Sequence, residues 1–248
     1  MPLVAEKALV VPTAHDEPPF RFDVFADVFE RPRALLCNTL EEQQLIQQRY
    51  PFAARCRIVG VGVEPPKQLD PAAFAQKHGL HGPYLLYVGR QEAGKGLKDL
   101  LKHHRALVEA FHDAPVLVLA GGGALDVEGE RVRTLGRISE EDKWNGLAGA
   151  LAAVAPSRFE SLSLLALEAF AVGTPLLANA ESSVLEGHVA RSGAGATWHD
   201  ADSYLAGVQR LGLGRDALRT KALAYARAFR WPKVIAAYRA ELSRIQKR

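Results

Sequence analysis

The stretch YLLYVGRQEAGKG, Tyr84 to Gly96, places two cations, Arg90 and Lys95, in a glycine-rich turn after an apolar run. The spacing Gly89, four residues, Gly94, Lys95 matches the first seven positions of the nucleotide-binding P-loop G-x-x-x-x-G-K-[ST]. The eighth position should carry the hydroxyl that holds Mg²⁺, and it is Gly96. The next apolar run, Val116 to Ala120, leads into GGGA where a metal-binding aspartate would be needed. What survives is a strand end, open backbone and two cations near a helix start. Such a set suits a diphosphate with no protein-held metal. An ordinary strand-to-helix turn with solvated charges uses the same residues, and this stretch alone leaves both readings open.

A second segment, APSRFESLSLLALEAFAVGTPLLA over residues 155–178, carries two carboxylates. Glu160 falls in a loop after a strand ending at Pro156 and Ser157. Glu168 falls two turns into a helix read as 162–172. The start of that helix offers free N–H groups and the positive end of its dipole to an anion. The rest of the helix is Leu, Ala, Phe and Val, so a carboxylate within it calls for a specific partner.

The elements that must hold these residues follow from the pattern of the chain. Short runs rich in Val, Leu and Ala recur at 8–12, 33–37, 57–61, 84–88, 116–120, 131–135, 151–155 and 175–178. Continuous rather than alternating apolar character means strands covered on both faces, the mark of a parallel sheet in an α/β fold. Helices are expected at 40–49, 96–111, 139–149, 162–172, 202–211, 215–229 and 232–246, with Ser139 and Asp142 opening the third. Residues 121–130 are too few for a crossover helix and predict a loop or one turn. The stretch GVGVEPPKQLDP, 60–71, reads as a hinge between domains. In the last helix Val234, Ile235, Tyr238, Leu242 and Ile245 form one apolar stripe.

At 248 residues and 48% hydrophobic, the chain can bury a sizeable core. A net charge of +3 spread along the chain gives nucleic acid little to grip. Cys37 and Cys56 sit beside apolar runs outside any metal-ligand spacing and read as buried thiols. No run reaches the length of a membrane span and no secretory leader is legible, so a cytoplasmic location is expected.

Taken in order, VGR…KG, LAGGG, RTLGRIS, PSRFESLSLLALEAFAVGTPLL and a late W…Y helix resemble the C-terminal, donor-binding domain of the retaining GT-B glycosyltransferases of family 4. The resemblance covers roughly residues 57–246 and specifies the family rather than the base, sugar or acceptor. It implies a Rossmann-like parallel-sheet domain at 63–230, a partial second Rossmann-like half at 1–62 and a C-terminal crossover helix at 231–248. It also implies a nucleotide-diphosphate sugar as donor, a saccharide or lipid-linked glycan as acceptor, and neither cofactor nor metal. Arg90 and Lys95 would then neutralise the diphosphate, and the amides around Ser163 and Leu164 would hold phosphate. Glu168 would bind the ribose hydroxyls and Glu160 those of the sugar, with backbone at Arg137 and Ile138 meeting the base edge. The run VVPTAHDEP would make His15 the residue facing sugar and acceptor. His188, in VLEGHVARSGAG, is placed either at the active-site cleft or on the surface.

The family usually reads E-x-F-G where this chain has Leu162 and Ser163, and loss of that glycine is expected to narrow the backbone choices. About 110 residues of a complete enzyme of this kind would precede Met1. The expectation is therefore a donor-binding half that transfers sugar with its missing half as partner, or as a homodimer joined through the bare stripe, peripheral to the inner membrane face. A non-catalytic nucleotide-sugar-binding module is the alternative of a different class. A GT-B sugar-nucleotide epimerase fits less well because the glutamate pair matches the transferases.

Overall fold

The computed structural model describes residues 7–51, 55–123 and 129–246, which divide into two compact units. Of these, the first comprises residues 7–51, 55–63, 159–163 and 229–246; the second comprises 64–123, 129–158 and 164–228.

The first unit is built on three parallel strands, β1 (Leu9–Val10), β2 (Ala34–Cys37) and β3 (Cys56–Ile58), in the order β1-β2-β3. β2 is buried along its whole length, and Cys37 and Cys56 are both in the core. A short helix α1 (Ala26–Glu30) and the longer α2 (Leu40–Arg49) flank the sheet. Thr39 caps α2 by accepting from the Glu42 amide. Phe20, Phe29 and Tyr50 pack ring against ring beside this sheet, and the Tyr50 hydroxyl donates to the Phe20 carbonyl at 2.8 Å.

The second unit is a six-stranded parallel sheet: β4 (Tyr84–Val88), β5 (Val116–Ala120), β6 (Val132–Gly136), β7 (Ala152–Ala155), β8 (Leu176–Asn179) and β9 (Gly195–Trp198). Its helices are α3 (Pro71–Lys77), α4 (Leu97–Ala110), α5 (Glu140–Gly149), α6 (Leu164–Ala171), α7 (Ser183–Ser192), α8 (Ala201–Leu213) and α9 (Arg215–Ala226). The spatial order is β6-β5-β4-β7-β8-β9. Counted within the unit this is 3-2-1-4-5-6, the doubly wound order of the Rossmann fold. Leu85, Tyr87, Leu117 and Leu119 point to one face, where Leu97, Leu100 and Leu107 of α4 and Tyr204, Val208 and Leu211 of α8 cover them. On the other face the Tyr84 hydroxyl donates to Gly146 of α5 at 2.7 Å, and Phe74 of α3 packs beside Gly146. β4, β5, β7 and β8 are thus buried almost throughout, which is why each is a continuous apolar run, whereas β6 at the sheet edge is partly exposed and carries Arg133 and Thr134.

The last helix, α10 (Trp231–Gln246), belongs to the first unit. Val234 joins Leu36 of β2 and Val59 in a small apolar cluster, with Ala237 and Tyr238 against it. Ile235 and Leu242, expected on the same stripe, are 43% and 45% exposed. The buried line runs through 234, 237 and 238 instead, one step around the helix, and the side chain of Ile245 lies outside the described residues.

Two further departures from the sequence reading are seen. β9, α3 and α7 were not expected, and α1 is too short to show a period. The helix read from residue 162 starts at Leu164, because Ser163 holds a left-handed φ of 63° that cannot belong to a right-handed helix. In the 121–130 connection, residues 124–128 lie outside those described.

Backbone crowding at the strand ends yields a stability prediction. A Cβ on Gly121, at φ +135°, would stand 1.9 Å from the Gly89 carbonyl oxygen; one on Gly96, at φ +72°, would stand 2.2 Å from that of Pro156. Gly121→Ala and Gly96→Ala should each cost about 1–3 kcal/mol, because backbone rather than a flexible side chain must move. Gly82 has nothing within 4 Å of such an atom, so Gly82→Ala serves as the control. Calorimetric melts compare the three; a Tm for Gly121→Ala as high as that of the Gly82 variant would show that the strand ends can part at no cost.

Candidate functional site

In an open parallel sheet the crevice lies outside the carboxyl ends of the strands, where the strand order reverses. Here β4 is flanked by β5 on one side and β7 on the other, with chain running to opposite edges of the sheet from there. The segments leaving β4, β5 and β7 are the ones the sequence singles out: Gly89 to Gly96, Gly121 to Gly123 and Pro156 onward. They are held close. The Gly89 amide donates to Ala120 and the Gln91 amide to Gly122, both at 2.9 Å, while the Gln91 side chain donates to Gly121 at 3.0 Å. Asn179 at the end of β8 donates to the Pro156 carbonyl at 3.1 Å, fixing the turn that Gly96 abuts.

Both predicted cations lie on the first of these segments. Arg90 is exposed and its guanidinium stands 3.2 Å from Glu92, an exposed ion pair of the kind worth about 0–1 kcal/mol. It can be given up to a stronger anion at little cost. Lys95 ends a single 3-10 turn, Ala93–Lys95, and its amide donates to the Glu92 carbonyl at 3.0 Å. Gly96 follows as the left-handed N-cap of α4. The residue that breaks the P-loop pattern is therefore required by its contact with Pro156. Beyond β6, Arg137 is exposed and Ile138 half-buried, and the Arg137 side chain runs beside Gly122.

The loop after β7 enters α6 through Ser163. Its positive φ is the conformation glycine favours, so serine keeps that backbone at a cost of roughly 1–2 kcal/mol. The expected narrowing of the backbone is thus not what the loop shows. Leu164, the first residue of α6, is exposed. Glu168, one turn in, has the partner that its apolar helix called for. Lys143 of α5 donates to Glu168 Oε1 at 2.7 Å, and its Nζ is 2.8 Å from Glu140. Burial pushes the Glu168 carboxyl above its ordinary range, and Lys143 pulls part of that back. Burial opposes the Lys143 charge, but the bonds to Glu140 and Glu168 outweigh it and hold the ammonium above the usual lysine value. Lys143 lies 25 residues before Glu168, a pairing that only the packing of α5 on α6 creates.

His15, Glu160 and Ser163 belong to the first unit, whereas Arg90, Lys95, Arg137, Ile138, Leu164 and Glu168 belong to the second. His15 is half-buried, with its ring 6.2 Å from that of Phe159 and Nδ1 3.6 Å from Glu17. The 159–163 loop, which carries the half-buried Glu160, is tied to the same unit by Thr39, whose hydroxyl donates to Ser161 at 3.0 Å. Sequence reasoning missed Glu42. Its carboxyl is buried at the start of α2 and accepts from the amides of Ala14 and Asn38, each at 2.5 Å, so it fixes the turn that presents His15. Burial outweighs these two bonds and pushes its carboxyl up to about 7. The T-x-x-E spacing of Thr39 and Glu42 was the available signal. His188 is neither at a cleft nor on the surface. It is fully buried in α7, with Nδ1 2.9 Å from the Tyr225 hydroxyl and its ring edge-on to Phe170.

Comparison with known proteins agrees with this architecture. Sucrose-phosphate synthase from Thermosynechococcus elongatus superposes with a TM-score of 0.77 over 92% of this chain and 62% of its own, at 23% identity. The HepE protein of Anabaena, solved in complex with UDP-glucose, does so with a TM-score of 0.75 over 93% of this chain and 70% of its own, at 16% identity. These likenesses establish a GT-B type of fold. In sequence, the chain is 34% identical over 179 residues to a glycogen synthase of Thermus thermophilus, covering 67% of this chain and 40% of that protein. It is 29% identical over 244 residues to a D-inositol 3-phosphate glycosyltransferase of Acidothermus cellulolyticus, covering 85% of this chain and 53% of that protein. The chain thus spans about two-fifths to one-half the length of these relatives. No helix among the described residues is long and apolar enough to cross a membrane. Residues 71–227, nearly the whole second unit with the entire six-stranded sheet, match the glycosyl transferases group 1 family, and the chain belongs to it.

Proposed function

We propose that the second unit binds a nucleotide-diphosphate sugar and that the protein takes part in transferring the sugar to a saccharide or lipid-linked acceptor with retention of configuration, as in family 4. One observation carries this reading. The glycine-rich segments that leave β4 and β5, with Arg90 and Lys95 on the first of them, follow the carboxyl ends of the strands where the order of the parallel sheet reverses, and doubly wound folds seat nucleotides at that place.

In this reading Arg90 and Lys95 neutralise the diphosphate as it leaves, the role a metal plays elsewhere. Gly96 brings no hydroxyl for a metal to use. The amides around Ser163 and Leu164, at the left-handed turn that opens α6, are assigned to phosphate, which the positive end of a helix dipole favours. Glu168 accepts from the ribose hydroxyls, and backbone at Arg137 and Ile138 borders the base. His15 and Glu160 are assigned to the sugar and acceptor. His15 meets the loop of Glu160 through Phe159, and Glu42 holds its turn in place. Positioning of an acceptor against the donor supplies several kcal/mol of the barrier, so the chain is assigned mainly the donor-binding share of the reaction.

Two binding measurements test the assignment. Isothermal titration of the chain with UDP, GDP and ADP in EDTA should show binding of at least one of them. Charge-assisted contacts contribute about 1.5–3 kcal/mol each, so Lys95→Ala should weaken that binding at least tenfold; undiminished affinity would remove the clamp. Glu168→Gln should weaken a ribonucleoside diphosphate more than its 2′-deoxy counterpart, since only the first offers both hydroxyls. Equal losses would make Glu168 structural.

A further inference from the structure

The pair Lys143–Glu168 is poorly explained by stability. The two side chains are 14% and 16% exposed, so both charges are largely taken out of water. Buried ion pairs commonly gain less than their desolvation costs, and well-packed apolar residues in their place are often neutral or better. The remainder of α6 is Leu, Ala and Phe, so apolar packing was the available alternative. The geometry is also one-sided. Lys143 takes Oε1, whereas Oε2 accepts no hydrogen bond from the described residues. A carboxylate has about four acceptor positions, and most of those on Glu168 are left open.

We propose that Lys143 is a positioning residue of the ribose subsite, anchoring one oxygen of Glu168 and keeping the carboxylate ionised so that its remaining lone pairs meet the two ribose hydroxyls. The proposal rests on the assignment of Glu168 to ribose. The charged groups facing Glu168 are Lys143 and Glu140 of α5. Glu140 is 80% exposed and shares the same ammonium. β7 and β8, which pack on α6, carry no titratable group. On α9, Arg219 sits at the far end, donating to the Val172 carbonyl beyond the last residue of α6 at 3.1 Å. The Trp144 ring lies 5.1 Å from Lys143 Nζ and adds a cation–π contact. Lys143 is therefore the main counter-charge of a buried carboxylate.

The sign of the effect follows. Burial alone raises a carboxyl pKa, and buried glutamates can titrate near or above neutrality. Without Lys143 the lowering influence on Glu168 is lost and burial acts unopposed, so the carboxyl takes up its proton at a higher pH than in the wild type, and a protonated carboxyl offers fewer acceptor positions to the diol. Below its pKa the ionised fraction drops about tenfold per pH unit.

The test is titration calorimetry of the full chain with UDP and 2′-deoxy-UDP, and with the GDP and ADP pairs in parallel, at pH 6, 7 and 8. The ratio of the two affinities cancels the titration of the diphosphate itself. The wild type should keep a ribose preference that changes little with pH. In Lys143→Met that preference should fall at least tenfold at pH 6 and return toward the wild-type value by pH 8, while Lys143→Arg keeps it. The double variant Lys143→Met/Glu168→Gln should match Glu168→Gln and show no pH dependence, which guards against misfolding as the cause. A pH-independent ribose preference in Lys143→Met, or a loss equal at every pH, overturns the proposal. If Glu168→Gln keeps the full ribose preference, or no nucleoside diphosphate binds the wild type, the ribose reading itself falls and this one with it.

Discussion

The backbone leaving β4 is crowded on both sides, and that crowding organises the second unit. On one side Gly89 and Gly121 bring two chain segments so close that a Cβ on Gly121 would stand against the Gly89 backbone. On the other, Gly96 turns left-handed against the Pro156 carbonyl, itself held by Asn179. Three strand ends are thereby drawn into a small space at the reversal point of the sheet. The reversal leaves a crevice because the connections run away from it in opposite directions. Glycine lets backbone N–H groups line that space without side chains filling it.

Charge is distributed over this frame according to what each group can spend. Arg90 is on the surface in a weak pair with Glu92, so its charge stays available at little cost. Glu168 lies in an apolar helix, where burial raises its carboxyl and Lys143 beside it pulls part of that back. Glu42 is met by two backbone amides in place of a cation, and there burial still outweighs the bonds and raises the carboxyl. In each buried case the carboxylate is held by another element of the fold, α5 for Glu168 and the turn before His15 for Glu42.

Much of the second unit was legible because strands covered on both faces must be apolar throughout. The five runs from 84–88 to 175–178 became β4 to β8 within a residue or so of their expected ends. β9 was not, since GATW carries too little apolar character to stand out. The helix α3 was overlooked where it starts at the end of a proline-rich stretch read as a hinge, although Asp70 followed by Pro71 is a sound cap and first turn. α7 carried a Ser182 cap and a left-handed Gly193 stop, but its burial of His188 depends on Tyr225 far along the chain. The cations of the site could be read from spacing. The Lys143–Glu168 and Glu42 contacts could not be derived from local pattern, because packing between separate helices and loops creates them. The left-handed backbone at Ser163 was hidden for the opposite reason: serine suppresses the signal that glycine would have given.

A crystal structure of the chain with whichever of UDP, GDP or ADP binds it tests the central claim most directly. The account predicts the diphosphate at the carboxyl ends of β4 and β7, within hydrogen-bonding reach of Lys95 and the amides that open α6, and the ribose within reach of Glu168. A nucleotide seated elsewhere would contradict it, for example in the 270 Å³ cavity lined by Leu101, His104, Arg105 and Val132.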